Sequence, residues 1–567
     1  MKNQKGITLI TLTITIVVMM ILTFTIAVNI EPYMNQKRRT NFETDMKRLK
    51  EEVDQYYARV KDIPIINKFT NTSMFDAVKN INDGDEYYVI DLKQLDIELN
   101  YGSDYYTIVN KEETEEITDL LDVYIINKQS HTIYYPKGIE FSNGIHYRMA
   151  EVYSEINIDE TGPVNVTLEA GEVNNKIIKL TGKATDEETG IKTYQFYVNG
   201  ELKTTVTTSD TSTTYNWTST FGDYTAYIVV TDNVGNATTS ETISFSDYTI
   251  ATKEELETFR DSVNNGNTYE GKTITQTADI DLEGSETNQW EPIGNMTTES
   301  YFKGIFDANN CSINNIYINN SNNHQGLFSY MSYGTIKKIR NITGSITGNN
   351  HVGGIVGRIS NEAKIINCHN SVTITGTESN IAGIVGLSEG GTVEKCSNNG
   401  QISGKHHVGG IVGQNVLNGL VESSYNTNIV KGSHIHVGGI VGYNVNATIK
   451  NCYNIGSIEG KSESNGSVGG IVGRNYTDSK VSNCYNIGSI SCEVSYGGIA
   501  GYNDAVIENT FYLDTTASVG CYYDTSGNCS AESKSSDELK ALTSTLGSEF
   551  EEDSDNVNEG YPILSWQ

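Results

Sequence analysis

The sequence predicts a multidomain, mainly β chain that starts with an apolar α-helix and ends in a long parallel β-helix. Three observations lead to that expectation. Residues 7–28 contain no charged side chain. Short Thr/Val/Tyr runs separated by turn residues fill the stretch from about 158 to 247. Beyond residue 350 a Gly-Gly-Ile-Val-Gly unit returns again and again. A length of 567 residues is enough for several domains. The formal charge of −31 offers no basic footprint, so nucleic acid is not an expected partner. All eight cysteines lie beyond residue 310, so the first half is not held by disulfides.

The first element is the apolar helix. Residues 7–28, at about 1.5 Å of rise each, give roughly 33 Å, enough to cross a hydrocarbon core. Ahead of them stands a six-residue basic leader, Met1-Lys2-Asn3-Gln4-Lys5-Gly6, and no small-x-small site follows the apolar run. A secretory signal would be cut on the far side of that run. This arrangement resembles the N-terminus of a type IV pilin or pseudopilin. The resemblance implies that a prepilin peptidase cuts after Gly6 and methylates Ile7, leaving 7–28 as a transmembrane helix that can join other pilin subunits. It further implies a single pass in the cytoplasmic membrane, with the N-terminus inside and the bulk outside, or a place in a surface filament. Thr11 stands where that family usually carries a Glu, which points to a minor or tip subunit. The basic cluster Lys37-Arg38-Arg39 competes with Lys2 and Lys5 for the cytoplasmic side, and a plain uncleaved anchor is the alternative.

Pro32 can end or kink this helix, and residues 33–61 read as its continuation. Phe42, Met46, Leu49, Val53 and Tyr57 recur there at spacings of three or four. The β-rich runs 87–90, 105–109, 123–126 and 132–135 then predict a small antiparallel sheet. Helix and sheet together make a pilin-like head over 29–152. The runs 176–180, 194–198 and 224–230, with turns at Asn199-Gly200 and Asn233-Val234-Gly235-Asn236, predict a β-sandwich over 158–247. It resembles the bacterial Ig-like modules used as spacers. Asp186, Glu187 and Asp232 could serve calcium, but no acidic series at ligand spacing accompanies them, so polar turns are the simpler reading.

A helix is expected over 253–263, opened by Thr252 with Glu255 three residues on, a capping-box pattern. The repeats follow. From Gly354 through Gly383, Gly410, Gly439, Gly470 and Gly498 the steps are 29, 27, 29, 31 and 28 residues. A fixed period of this kind means a stacked array. Each unit reads as three strands, for example 354–357, 363–368 and 372–375, without helical periodicity. A parallel β-helix fits with coils about 4.8 Å apart, whereas a propeller blade needs about 40 residues or more. The Gly-x-x-Gly units resemble the GLUG motif repeats of bacterial surface proteins. The solenoid is placed at 250–534, with residues 535–567 as a C-terminal cap.

In a β-helix, equal positions stack, so chemistry requires the right residues to line up. Asn370, Asn398, Asn426, Asn454 and Asn486 recur and read as scaffold, and Cys368, Cys396, Ser424, Cys452 and Cys484 read as a small buried stack. Cys521 and Cys529 could close a loop. His351, His407 and His436 precede the glycine pairs, but Asn380, Ser467 and Ser495 take the same place elsewhere. Glu394 and Glu422 share a ladder position without a second acid nearby, whereas glycan cleavage needs converging carboxylates. No catalytic residue, metal or cofactor is therefore expected. Tyr425, Tyr453 and Tyr485 form a candidate binding surface if exposed, or a shield for the stack if not. The expected role is adhesion to an extracellular glycan or protein. The alternatives are a non-adhesive minor pseudopilin that initiates or caps a filament and, more remotely, a surface polysaccharide- or protein-degrading enzyme.

Overall fold

A computed structural model of the chain describes residues 9–71, 84–112, 115–141, 144–148, 161–296, 299–461, 467–493 and 496–567, with side chains from residue 34 onward except at 141 and 144. The leader with Gly6 and Ile7 lies outside the described residues. So do residue 8 and the junction at 149–160, while residues 9–28 of the expected membrane span, Thr11 among them, are described as backbone helix alone. Among residues with described side chains, no helix is long and apolar enough to cross a membrane. The protein is mainly β, with an N-terminal helix, small antiparallel sheets and a parallel β-helix solenoid. It divides into two units, 1–218 with 224–245, and 219–223 with 246–567.

In the first unit, helix Leu9–Val60 stays helical through Pro32. Phe42, Met46, Leu49 and Val53 are buried along one face, whereas Tyr57, the last of the expected stripe, is 39 % exposed. That face shares a core with an antiparallel sheet of Ile65–Phe69, Tyr87–Ile90, Ile125–Asn127 and Ile133–Tyr134. A buried carboxylate needs its hydrogen bonds met, and Asp45 on the helix accepts from the Asn100 and Tyr101 amides, Asn100 Nδ2 and the Tyr124 hydroxyl.

One expected strand is a helix. Residues 105–109 form Tyr105–Ile108 as a single helical turn, with Tyr105 and Ile108 buried three apart and Tyr106 61 % exposed. The turn before it decides the outcome. The Asp122 carboxylate takes the Gly102 amide and Ser103 hydroxyl, and Gly102 adopts a positive φ of 96°, which swings the chain into the helical turn.

The stretch from Val164 to Asp247 forms two antiparallel sheets whose inner faces share one core. Leu168, Ile178, Leu180 and Ala184 meet Tyr194, Phe196, Ala226, Ile228 and Val230 there. Asn199 and Gly200, both at positive φ (50° and 79°), make the two-residue turn joining Ile191–Val198 to Glu201–Thr207. Asp232 accepts from the amides of Val234, Gly235 and Asn236, and Asp186 from those of Thr189 and Gly190. The acids considered for calcium at 186 and 232 are thus occupied in holding their own turns. Residues 219–223, inside the stretch expected to be sandwich, group with the second unit instead, where Phe221 packs on Phe259 and Tyr269.

The second unit opens with helix Lys253–Asn264, capped by the Thr252 hydroxyl on the Glu255 amide. Its apolar face, Leu256, Phe259 and Val263, is buried, and Phe259 touches Phe302, Phe306 and Phe328 in the first coils. From there the chain winds through three parallel sheets. Three inward ladders fill the interior. One runs Val356, Val385, Val412, Val441, Val472, Ala500. The second runs Ile365, Val393, Val421, Ile449, Val481, Ile507, and the third Ile374, Ile402, Val430, Ile458, Ile490. Partners along the first ladder are separated by the same steps as the glycines in the sequence. Period and pairing register are therefore one property.

The strand bounds differ from those read from the sequence: the first two start later, at Val356–Ser360 and Lys364–Ile366, and the third starts earlier, at His369–Gly376, in the first full coil. The glycine pair itself sits at the corner between Val352–Gly353 and Val356–Ser360. At that corner a Cβ on Gly354, Gly383, Gly410, Gly439 or Gly470 would strike the asparagine of its own coil and the backbone of the next. The pairing of each glycine with an asparagine further along its coil is thus a steric requirement.

Candidate functional site

The asparagine ladder is a continuous chain of buried amides. Asn370 donates to Asn398, Asn398 to Asn426, Asn426 to Asn454 and Asn454 to Asn486, each at 2.7–2.8 Å from Nδ2 to Oδ1. All five are at most 1 % exposed. Every amide spends its donors and acceptor within the stack, so these residues hold the coils together and present nothing outward. A second ladder, Asn415 to Asn444 to Asn475 to Asn503, runs along another sheet at 2.9–3.0 Å. Sequence reading missed it, although its signal is the Gly-x-Asn that begins at the last glycine of the four later units, as in Gly442-Tyr443-Asn444. The cysteine stack is buried as expected, with Cys368, Cys396, Cys452 and Cys484 as free thiols. Cys521 and Cys529 are joined as a disulfide.

The tyrosine ladder forms but is not an open surface. Tyr425, Tyr453 and Tyr485 stack with centroids 4.9 and 5.1 Å apart and planes within 5°. Tyr453 and Tyr485 are 1 % and 0 % exposed, and Tyr425 is half-buried. Residues from the C-terminal segment lie over them: Leu539, Leu546, Phe550, Tyr561 and Leu564 share their core. Tyr453 donates to Gln567 Oε1, Tyr485 donates to the Pro562 carbonyl, and Trp566 Nε1 donates to the Ser423 carbonyl. Burial pushes both hydroxyls up from the usual tyrosine range, which keeps them as donors. The expected cap at 535–567 thus turns back along the side of the coils as far as Tyr425 and His369. The reason is apolar: Ile455 and Ile487 follow the ladder asparagines and join the tyrosines in a strip that water would wet poorly. Of the three candidate binding tyrosines, only Tyr425 keeps partial access.

The histidines pair between coils. His407 and His436 stack at 5.4 Å, and His324 stacks on His351 at 4.5 Å. His407 Nδ1 meets Asn380 Oδ1 and His436 Nδ1 meets Ser467 Oγ, each at 2.8 Å. Burial lowers His407 and His324 to about 4 and His436 and His351 to about 3, so all four are neutral near pH 7. Among the described residues no group of three or more His, Cys, Asp or Glu is placed to hold a metal. Glu394 does stack on Glu422, and Lys450 in the following coil pairs with Glu422 at 2.6 Å.

Among the clefts of the described residues is a groove of about 720 Å³ crossing five coils. Its floor is the ladder Gly404, Gly432, Gly460, Cys492, and its walls include Thr377, Lys405, Lys431, Glu459 and Glu493. Hydroxyls, ammonium groups and carboxylates line the walls, while a Cβ on Gly404, Gly432 or Gly460 would strike the inward-facing Val408, Val437 or Val468, so these glycines serve the tight corner between strands. Lys431 and Glu459 pair across coils at 3.0 Å, as do Lys405 and Glu378. Such a lining can hydrogen-bond an elongated polar chain. In the sequence the floor is spelled as the glycine ending three successive third strands, Gly404, Gly432 and Gly460, with Cys492 in the next, a pattern that marks a tight turn.

Known proteins share parts of this chain. The GLUG motif matches residues 348–375, 433–459 and 464–491. Halomucin of Haloquadratum walsbyi (strain DSM 16790 / HBSQ001) is 28 % identical over 167 residues, which is 28 % of this chain and 2 % of halomucin, so the chain matches only a small part of that protein's length. A Bacteroides ovatus protein named as a candidate immunoglobulin A1 protease superposes with a TM-score of 0.40 at 18 % identity, covering 57 % of this chain and 93 % of its own. An IgA1 protease superposes at 0.35 and 18 %, covering 56 % and 28 %. At these scores neither structure bears on activity. Coils of this β-solenoid carry GLUG motif repeats.

Proposed function

We propose that the chain is a membrane-anchored, pilin-like surface protein whose β-helix is an adhesive module for an extended extracellular glycan. The observation that carries this reading is the five-coil groove with its glycine floor and polar walls. A rigid stack offers a preformed, linear hydrogen-bonding surface, which keeps the ordering cost of binding low. The reading is non-enzymatic: Glu422 pairs with a lysine, and its stacked partner Glu394 lies beside Lys395 at 3.4 Å. In this proposal residues 7–28 anchor the chain in the cytoplasmic membrane. A prepilin peptidase cuts after Gly6 and methylates Ile7, and Thr11 in place of Glu makes the chain a minor or tip subunit. The long helix packed on a four-stranded antiparallel sheet supports a pilin-like head. The two sheets sharing one core support an Ig-like spacer.

Deleting residues 250–567 tests the role of the solenoid. Loss of attachment with filaments intact supports adhesion. Loss of the filaments themselves assigns the region to assembly, and unchanged attachment overturns the adhesive reading. Mass spectrometry of the mature N-terminus tests the anchor: methylated Ile7 supports it, and an intact Met1 removes the filament.

A further inference from the structure

On a different sheet from the groove, an outward ladder runs Arg358, Leu387, Gln414, Tyr443, Arg474, Tyr502, Tyr523. It holds two arginines, both half-buried, with different surroundings. Arg358 lies over Tyr330 and donates from Nε to Glu389 Oε2 of the next coil at 2.7 Å. Arg474 lies 4.3 Å from the Tyr476 ring centroid, 4.5 Å from that of Tyr502 and 5.8 Å from that of Tyr443. Its Nε is buried and has no hydrogen-bond partner. In the place corresponding to Glu389 stands Asp504, whose shorter carboxylate accepts from Thr525 at 3.0 Å, and among the described residues Arg474 has no ion pair. The rings of His407 and His436 lie 5.0 and 5.1 Å from Tyr443 and bring no charge near neutrality. The result is an unpaired guanidinium walled by aromatic rings on a chain of net charge −31.

We propose that Arg474, with Tyr443, Tyr476 and Tyr502, binds a carboxylate-bearing sugar of an acidic glycan. The guanidinium fork matches a carboxylate in two parallel hydrogen bonds. The tyrosine rings offer flat apolar faces for the C–H side of a sugar ring, with hydroxyls at their edges. Unlike Arg358, Arg474 has no internal carboxylate for the ligand to displace. This inference rests on the adhesive reading and adds a second contact to the groove.

The test is calorimetry on the full chain with a glucuronate-containing oligosaccharide, its carboxyl methyl ester and a sulfated neutral oligosaccharide. The expected result is binding of the glucuronate form alone, weakened at least tenfold in Arg474→Gln, partly restored in Arg474→Lys and unchanged in Arg358→Gln. Absence of glucuronate binding by the wild-type chain overturns the proposal, as does equal binding by Arg474→Gln. Preference for the sulfated sugar also overturns the carboxylate assignment. If Arg474→Gln merely lowers the melting temperature while glucuronate still binds, the cluster is structural and the proposal fails. Attachment that requires residues 250–567 but survives Arg474→Gln leaves the adhesive reading standing and removes only this site.

Discussion

The tyrosine ladder and the glycine-floored groove belong to the same solenoid, yet one is sealed and the other open. Tyr453 and Tyr485 lie under residues 535–567, and the groove from Thr377 to Glu493 does not. Both are products of the same repeat, so the coil alone does not decide exposure. Their flanks differ. Ile455 and Ile487 extend the tyrosines into an apolar strip, whereas Lys405, Lys431 and Glu459 rim the groove. A distant segment bearing Leu539, Phe550 and Leu564 can bury the first at a gain of about 25 cal/mol per Å² of apolar surface. The second would cost desolvation to cover.

The strongest way to break this contrast is to remove the tail. Truncation before Ser535 exposes Tyr453, Tyr485 and Phe511, and the expected outcome is a large fall in melting temperature with new binding of a hydrophobic dye. A truncated chain that melts like the full one and binds no dye would make the tail an ornament. Next in size, Tyr485→Ala should cost about 3–5 kcal/mol, as for other fully buried aromatic side chains. Lys431→Ala in the groove should stay within about 0.5 kcal/mol. Denaturant melts of the pair measure the contrast directly, and equal losses would dissolve it.

A smaller effect is expected inside the stack. Asn454→Ala removes one acceptor from Asn426 Nδ2 and one donor from Asn486 Oδ1, while the Asn428 carbonyl and the Gly488 amide still serve those atoms, so the expected cost is about 1–3 kcal/mol in all. A loss under about 0.5 kcal/mol would show that the amide chain is dispensable. The smallest effect is the pH response. His407 and His436 protonate near 4 and 3 in the folded chain and near the ordinary histidine value of 6.5 when unfolded. Between those values the unfolded state binds the extra protons, so stability is full above about pH 6.5 and declines as pH falls toward 4. The groups facing this pair are Tyr443, Arg474 and His406, none of them a carboxylate. His436→Asn should flatten the melting temperature between pH 6.5 and 4.5, and a slope identical to wild type would refute the assignment.

The solenoid was legible because a 27–31-residue period leaves few architectures, and the paired residues keep those same steps. The first asparagine ladder was legible for the same reason, since one residue type occupied one position in every coil. The second ladder begins only at Asn415, because the equivalent place holds Ser388 one coil earlier, and a ladder over half the coils is easy to pass over. Exposure of the tyrosines could not be read from their own coils, because it depends on the distant segment at 535–567, with Tyr453 bonded to Gln567 and Tyr425 against Trp566. The misread strand at 105–109 has a different cause. Tyr, Thr, Ile and Val favour strands on average, but a preceding turn fixed by Asp122 overrides that preference locally. The unpaired state of Arg474 was equally hidden, since Asp504 stands where sequence logic would place its partner.

The glycine corners have one more consequence. Because each second glycine is wedged against its own coil's asparagine and the next coil's backbone, the stack cannot absorb a residue there. The differences between coils of 27 and 31 residues must be taken up elsewhere along the coil. The solenoid can therefore be shortened or extended only in whole turns of about 4.8 Å, like a ruler cut at its marks. A chain built this way can change its reach without altering the spacing of anything it displays.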